Sequence, residues 1–275
     1  MSAEVVPSIE LARQVGEHAL PLFLVTLSVA VTLAGVAGVL LHRRYVGRTT
    51  EDITPWSLPR LASAFSAGFA LIIGSAMLFA EIAEQLGQGN AMGLADQALA
   101  DAIGQHTPLA ALRAFALLTH LGDPLVLTLL SAAVAIALWR RRAKLLAAGW
   151  LLALAGNAVL NPLLKGVFER VRPLHDQGLA QATGFSFPSG HSSGAMVAYS
   201  MLLYVGLRVL PVRWHAAIAM VAVALVLSVA CSRVFLRVHF ASDVAAGLLS
   251  GLCWTGVCVA GLEFSRHRRA RMLRV

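Results

Sequence analysis

Apolar positions in this chain run in long blocks rather than alternating. Stretches with almost no charge lie near residues 20–41, 61–82, 117–138, 145–165, 189–210, 215–232 and 240–262, separated by short polar segments. A bilayer core of ~30 Å is crossed by a helix of roughly 20 mainly apolar residues, so the pattern predicts seven membrane helices. A barrel would show period-two alternation instead. Residues 83–112 are mixed, with Gly87, Gly89, Gly93, Asp96 and Asp101. They predict a loop on the outer side carrying a short interfacial helix around 94–103. Asp123-Pro124 has the form of an N-cap followed by proline at the first helical position. The third span therefore either starts there or is a longer helix kinked at Pro124.

Composition agrees with this picture. Hydrophobic residues make up 58% of the 275, charged residues 13%, and the mean hydropathy is +0.74. Soluble domains carry roughly 25% charge, so a water-facing shell, a disordered chain and a disulfide scaffold are all excluded. The net charge of +8 suggests an acidic partner until the basic residues are placed on the spans. Arg43, Arg44, Arg48, Arg60, Arg140, Arg141, Arg142, Lys144, Arg208, Arg213, Arg266, Arg268, Arg269, Arg271 and Arg274, 15 of the 22 basic residues, fall on one side. The positive-inside rule makes that side cytoplasmic and puts the N-terminus outside. The excess charge is then topology, with no nucleic-acid surface. Glu4, Glu10 and Glu17 precede the first span and Arg43-Arg44 follow it, the pattern of a retained anchor rather than a signal sequence. Cys231, Cys253 and Cys258 lie in or at the ends of spans, with neither metal nor disulfide spacing.

Three polar stretches break the apolar pattern, and the topology brings all three to the outer face. They are Lys165 to Pro173, Ser186 to His191, and Ser232-Arg233 followed by His239 and Asp243. Lys165, Arg172 and Arg233 supply cations, and arginine suits paired oxygens. Pro188-Ser189-Gly190-His191 opens a helix, where free N–H groups, the Ser189 hydroxyl and close backbone approach at Gly190 form an anion site. Such a cradle neutralises a phosphate with no metal and no cofactor. His239 and Asp243, four apart, share a helix face. A carboxylate on one ring nitrogen leaves the other as a nucleophile, and His191 is then the proton donor for the leaving oxygen.

The three stretches resemble the signature of the type 2 phosphatidic acid phosphatase (PAP2) superfamily, in its membrane lipid phosphate phosphatase branch. Lys165, Arg172, Pro173, Pro188, Ser189, Gly190, His191, Ser232, Arg233, His239 and Asp243 occupy every defining position. The resemblance implies an all-α integral membrane protein with a six-helix transmembrane core, here preceded by one extra N-terminal transmembrane helix at 20–41. The expected organisation is 1–60 (outer segment, extra helix and cytoplasmic loop), 61–262 (catalytic membrane domain) and 263–275 (basic tail). It also implies a metal-independent hydrolase acting through a phosphohistidine. His239 would be the nucleophile, His191 the acid–base and Asp243 its carboxylate partner, with Lys165, Arg172, Ser189, Gly190 and Arg233 binding phosphate.

Around that set, Arg170 and Arg237 read as loop charges outside the catalytic group. Asp123 reads as a helix cap, Asn157 and Asn161 as bonds between helices, and Ser232 as site support or a cap. The Gly190/Gly194 and Gly247/Gly251 pairs read as close helix packing. The expected function is hydrolysis of a lipid phosphate or pyrophosphate at the outer face of the plasma (inner) membrane, with the bilayer and the lipid as partners. Phosphotransfer to a lipid acceptor shares the first half-reaction. A non-enzymatic transporter or assembly protein would not need both histidines and three cations.

Overall fold

The computed structural model describes residues 5–46, 58–86, 90–173, 179–180 and 182–272. Among the described residues, ten α-helices follow one another: α1 (Val5–Glu17), α2 (Ala19–Val46), α3 (Leu58–Glu84), α4 (Ala91–His106), α5 (Leu109–Leu118), α6 (Pro124–Arg140), α7 (Lys144–Phe168), α8 (Gly190–Val209), α9 (His215–Phe235) and α10 (Ala241–Met272). Short 3-10 turns occupy Thr119–Gly122 and Val212–Trp214. No strand occurs among the described residues. The side chains of Arg43, Arg44, Arg48, Arg60, Arg271 and Arg274, and all of Glu4, Gly87 and Gly89, lie outside the described residues.

By length and composition, five described segments can cross a membrane: Ala19–Leu40, Ser66–Glu84, Lys144–Phe168, Val212–Phe235 and Ala241–Arg269. A sixth is Leu109–Gly122 with Pro124–Arg140, taken as one span bent by 46°. The chain is thus a multi-pass membrane protein. Both expectations for the third span meet in that bent pair, since α6 starts at Pro124 while the path into it begins at Leu109, ahead of the expected 117. The bend falls where proline lacks an N–H to continue the upstream helix. The expected interfacial helix is α4, longer than 94–103. The stretch 189–210 is helical as α8 but is not among the five or six, because its first turn reads Gly-His-Ser-Ser-Gly. That helix is central. Ala195, Val197, Ala198 and Met201 are fully buried, so its neighbours are protein rather than lipid.

Outward-facing leucines, valines and isoleucines on α2, α3, α6 and α7 are the exposed apolar surface, as a lipid-facing shell requires. Inside, Trp150, Val197, Met201, Val205 and Leu262 form the core of α7, α8 and α10. The indoles of Trp150 and Trp254 donate to the Ser131 and Ala153 carbonyls at 3.0 and 2.8 Å, which satisfies polar groups that hydrocarbon cannot. The extra helix α2 lies on α9. A Cβ at Gly38 would stand 2.6 Å from Ala216 Cα, and Phe23 packs edge-on against Phe115 and Phe235. It therefore braces the helix that carries Arg233.

The crossing of α8 and α10 sets the spacing of the candidate site. A Cβ on Gly247 would lie 2.5 Å from the Ser189 carbonyl oxygen, and one on Gly251 2.8 Å from that of Ser193. Small residues let the two backbones touch. Gly190 and Gly194 instead face Asn161 and Leu127. Gly247→Ala should force the helices apart and cost about 1–3 kcal/mol, as overpacking does. A lowered unfolding midpoint in detergent, together with reduced turnover, is the expected result. An unchanged midpoint would mean that the contact is not tight.

Candidate active site

All three polar stretches meet at one end of the bundle, the end where α1 packs along α4. Glu263, bonded to Tyr204 and Arg208 at 2.5 Å, marks the other. At the candidate site the chain leaves α7 through Glu169, whose φ of 45° is left-handed, and enters α10 after Arg237, with φ 55°. These two reversals turn Arg170–Arg172 and His239 inward. Left-handed backbone at non-glycine residues costs of order 1 kcal/mol or more and is held only by surrounding contacts.

His239 is 2% exposed. Its Nδ1 is 3.4 Å from Asp243 Oδ2 and its Nε2 3.1 Å from Arg172 NH1. Asp243 Oδ2 also accepts the Phe240 N–H at 2.9 Å, fixing the carboxylate beneath the ring. Burial pushes the His239 imidazole down to about 3, with Asp243 pulling it up and Arg172 and Arg233 pushing it further down. The ring is therefore neutral across the physiological range.

Arg172 also donates to four backbone carbonyls, those of Val238, Thr183, Gly184 and Phe185, at 2.7–3.0 Å. It clamps the loop before α8 to the loop before α10. Lys165 Nζ donates to the same Phe185 carbonyl at 2.5 Å and lies within electrostatic reach of Arg172, Arg233 and Asp243. Arg233, 3% exposed, donates through NH1 to Thr119 Oγ1 at 2.8 Å, while its buried Nε has no partner among the described residues. A buried guanidinium N–H without an acceptor is costly, and an anion in the cradle would supply one.

Ser189 caps α8, its Oγ accepting from Ser192 N at 3.4 Å and from Ser192 Oγ at 2.9 Å. Its N–H donates to the Asp243 carbonyl at 2.9 Å. The hydroxyl, expected as an anion ligand, is thus buried within the first turn of its own helix. Gly190 faces Asn161 Oδ1, and Asn161 Nδ2 donates to Pro188 O and Ser193 Oγ at 3.4 and 3.3 Å, the bond between helices that its position suggested. Ser232 Oγ turns back to the Val229 carbonyl at 2.6 Å. No group of three or more metal-ligating side chains is present among the described residues.

Three partners were not visible in the motifs. Arg170, expected as a loop charge, donates to Asp243 Oδ1 at 2.6 Å, to Asp96 Oδ2 at 2.9 Å and to Ser242 Oγ at 2.7 Å, and stacks on Phe240. Asp96 of α4 in turn accepts from the Ser242 N–H and hydroxyl. Asp123 stands at the N-cap of α6 without a side-chain cap bond. Its carboxylate instead meets His191 Nε2 at 2.8 Å and His120 Nδ1 at 2.6 Å. The expectation that Asp123 simply caps a helix is corrected by that pairing, because an imidazole within bonding distance is the stronger partner.

A cavity of about 590 Å³ opens beside this cradle between α6, α7 and α8. Apolar side chains such as Leu127, Leu151, Leu154 and Val197 line it, and its polar end is formed by Asn161, Gly190 and His191.

The PAP2 superfamily model matches residues 145–266, which contain all three stretches. Residues 145–266 belong to the PAP2 superfamily. Phosphatidylglycerophosphatase B of Bacillus subtilis (strain 168) is 38% identical over 104 residues, 37% of this chain and 51% of that protein. The chain thus matches about half the length of this curated relative. The crystal structure of the first transmembrane PAP2 type phosphatidylglycerolphosphate phosphatase, also from Bacillus subtilis, superposes with a TM-score of 0.66 at 28% identity. That match covers 70% of this chain and 96% of the other. Asp96, Thr119, His120 and Asp123 all precede the matched PAP2 segment, so the site is completed by α4 and by the turn before α6.

Proposed function

We propose that the chain is a metal-independent, PAP2-type lipid phosphate phosphatase working at the outer face of the plasma membrane. The observation that carries this is a neutral, buried His239 set between Asp243 and Arg172, together with an apolar cavity whose polar end is His191. The cradle neutralises a phosphate, and the cavity takes the apolar tail. In the first half-reaction His239 Nε2 attacks phosphorus. The bond to the lipid oxygen breaks, and that oxygen takes a proton from His191. In the second, water attacks the phosphohistidine, its proton returns to His191, and inorganic phosphate leaves. Lys165, Arg172, Arg233 and the free N–H groups at the start of α8 hold the equatorial oxygens.

The outer face follows from the charge pattern, since Arg140, Arg141, Arg142, Lys144, Arg208 and Arg213 sit in the connections assigned to the opposite side. Among lipid phosphates, the likeness to Bacillus subtilis phosphatidylglycerophosphatase B favours phosphatidylglycerophosphate. The test is phosphate release by the purified full chain in detergent over a panel of lipid monophosphates and pyrophosphates. Phosphatidylglycerophosphate is expected to turn over fastest, at a rate unchanged by chelator. A strict divalent-metal requirement, or no release from any lipid phosphate, would overturn the reading.

A further inference from the structure

His191 at the polar end of the cavity is paired with a second carboxylate, Asp123, which lies outside the matched PAP2 segment. Asp123 divides its oxygens between His191 Nε2 and His120 Nδ1, and side-chain exposure rises along the row from 20% at His191 to 32% at Asp123 and 65% at His120. The turn carrying Asp123 is pinned on two sides. Tyr199 Oη of α8 donates to the Leu121 carbonyl at 2.7 Å, and Arg233 of α9 reaches Thr119. Gly122 allows the close approach, since a Cβ there would lie 3.2 Å from His191 Cδ2. Asp123, Arg233 and Arg172 are the charged groups that face His191. Asp123 is thus the one negative group among the described residues set against two cations there, and His120 is the further titratable group facing Asp123.

We propose that Asp123 is the positioning residue for the proton transfer to the leaving group. It fixes the His191 ring through Nε2 and stabilises the imidazolium, leaving the other nitrogen to exchange the proton. When the P–O bond to the lipid breaks, the electron pair stays on the lipid oxygen and that oxygen takes the His191 proton. When water displaces His239, its proton returns to His191. Asp123 stays ionised throughout, with His120 holding its outer oxygen. The inference rests on the acid–base assignment of His191 made above.

The need for an acid depends on the leaving group, and this gives the test. An alkoxide leaves poorly without a proton, whereas p-nitrophenolate leaves unaided. Asp123→Asn removes the charge and keeps the shape, and since the side chain makes no cap bond, α6 retains its start. In the full chain, Asp123→Asn should lower kcat/KM for a long-chain alkyl phosphate by about 100-fold, at the low end of general-acid effects. The pre-steady-state burst from p-nitrophenyl phosphate should fall only a few-fold, and the pH profile for the alkyl substrate should move. Equal losses on both substrates, or no loss on either, would overturn the proposal. His191→Ala run in parallel separates the two levels. If that variant is selective for the alkyl substrate and Asp123→Asn is not, only the role of Asp123 fails. If His191→Ala is itself unselective, the acid–base reading fails and takes the proposal with it.

Discussion

Replacing His239 with alanine is expected to reduce phosphate release from lipid phosphates by about four orders of magnitude or more, the scale at which a covalent nucleophile is lost. The acid-labile phosphoenzyme that wild-type protein forms under rapid quench should vanish with it. The fold should survive the change. Asp243, which loses its imidazole partner, keeps its ion pair with Arg170 and its bond from the Phe240 N–H. Arg172 keeps its carbonyl acceptors in both adjoining loops. An unfolding midpoint close to wild type, together with absent turnover, would therefore isolate the chemistry. Full activity in purified His239→Ala, or an undiminished phosphoenzyme, would refute the nucleophile assignment.

Arg170→Ala should be the most damaging change among residues outside the family motifs. It removes the cation between two buried carboxylates, Asp243 (fully buried) and Asp96 (7% exposed). Breaking a buried pair from one side costs about 3–5 kcal/mol because the remaining charge is uncompensated. Here two charges of the same sign are left facing each other. The unfolding midpoint should drop by several degrees or more, and Asp243 should no longer hold the His239 ring. Turnover should fall by about 100-fold or more even below the midpoint, as for misplacement of a catalytic group. Arg170→Lys keeps the charge without the fork and should recover part of the stability. Near wild-type midpoint and turnover in Arg170→Ala would mean that the network does not hold Asp243.

Much of this site could be read before any coordinates. The spacing from Lys165 to Arg172, the run Pro188 to His191, and the four-residue step from His239 to Asp243 are local patterns. Helical geometry converts the last directly into a shared face, and the first turn of α8 follows from its Ser189 cap. The partners of these residues were hidden. Arg170 lies 73 residues from Asp243 and 74 from Asp96, and Asp123 lies 68 from His191. No periodicity connects positions so far apart. Arg170 and Asp123 each had a plausible local role, as loop charge and as cap, and the local role was the wrong one for Asp123. The Ser189 hydroxyl accepts from Ser192 within the first turn of its own helix, a local bond that an N-cap serine implies.

The sequence by itself determined the helical membrane character, a helix start or kink at Asp123-Pro124 and the motif residues. Each of these depends on hydrophobic run length, on charge counts or on spacings within one or two turns. Tertiary structure decided which carboxylate serves which base. Asp96 arrives on α4 and Asp123 on the turn before α6, and both reach the PAP2 segment only once α8, α9 and α10 have packed. In a low-dielectric interior a buried charge takes the nearest group able to compensate it, and only the folded arrangement sets which group that is.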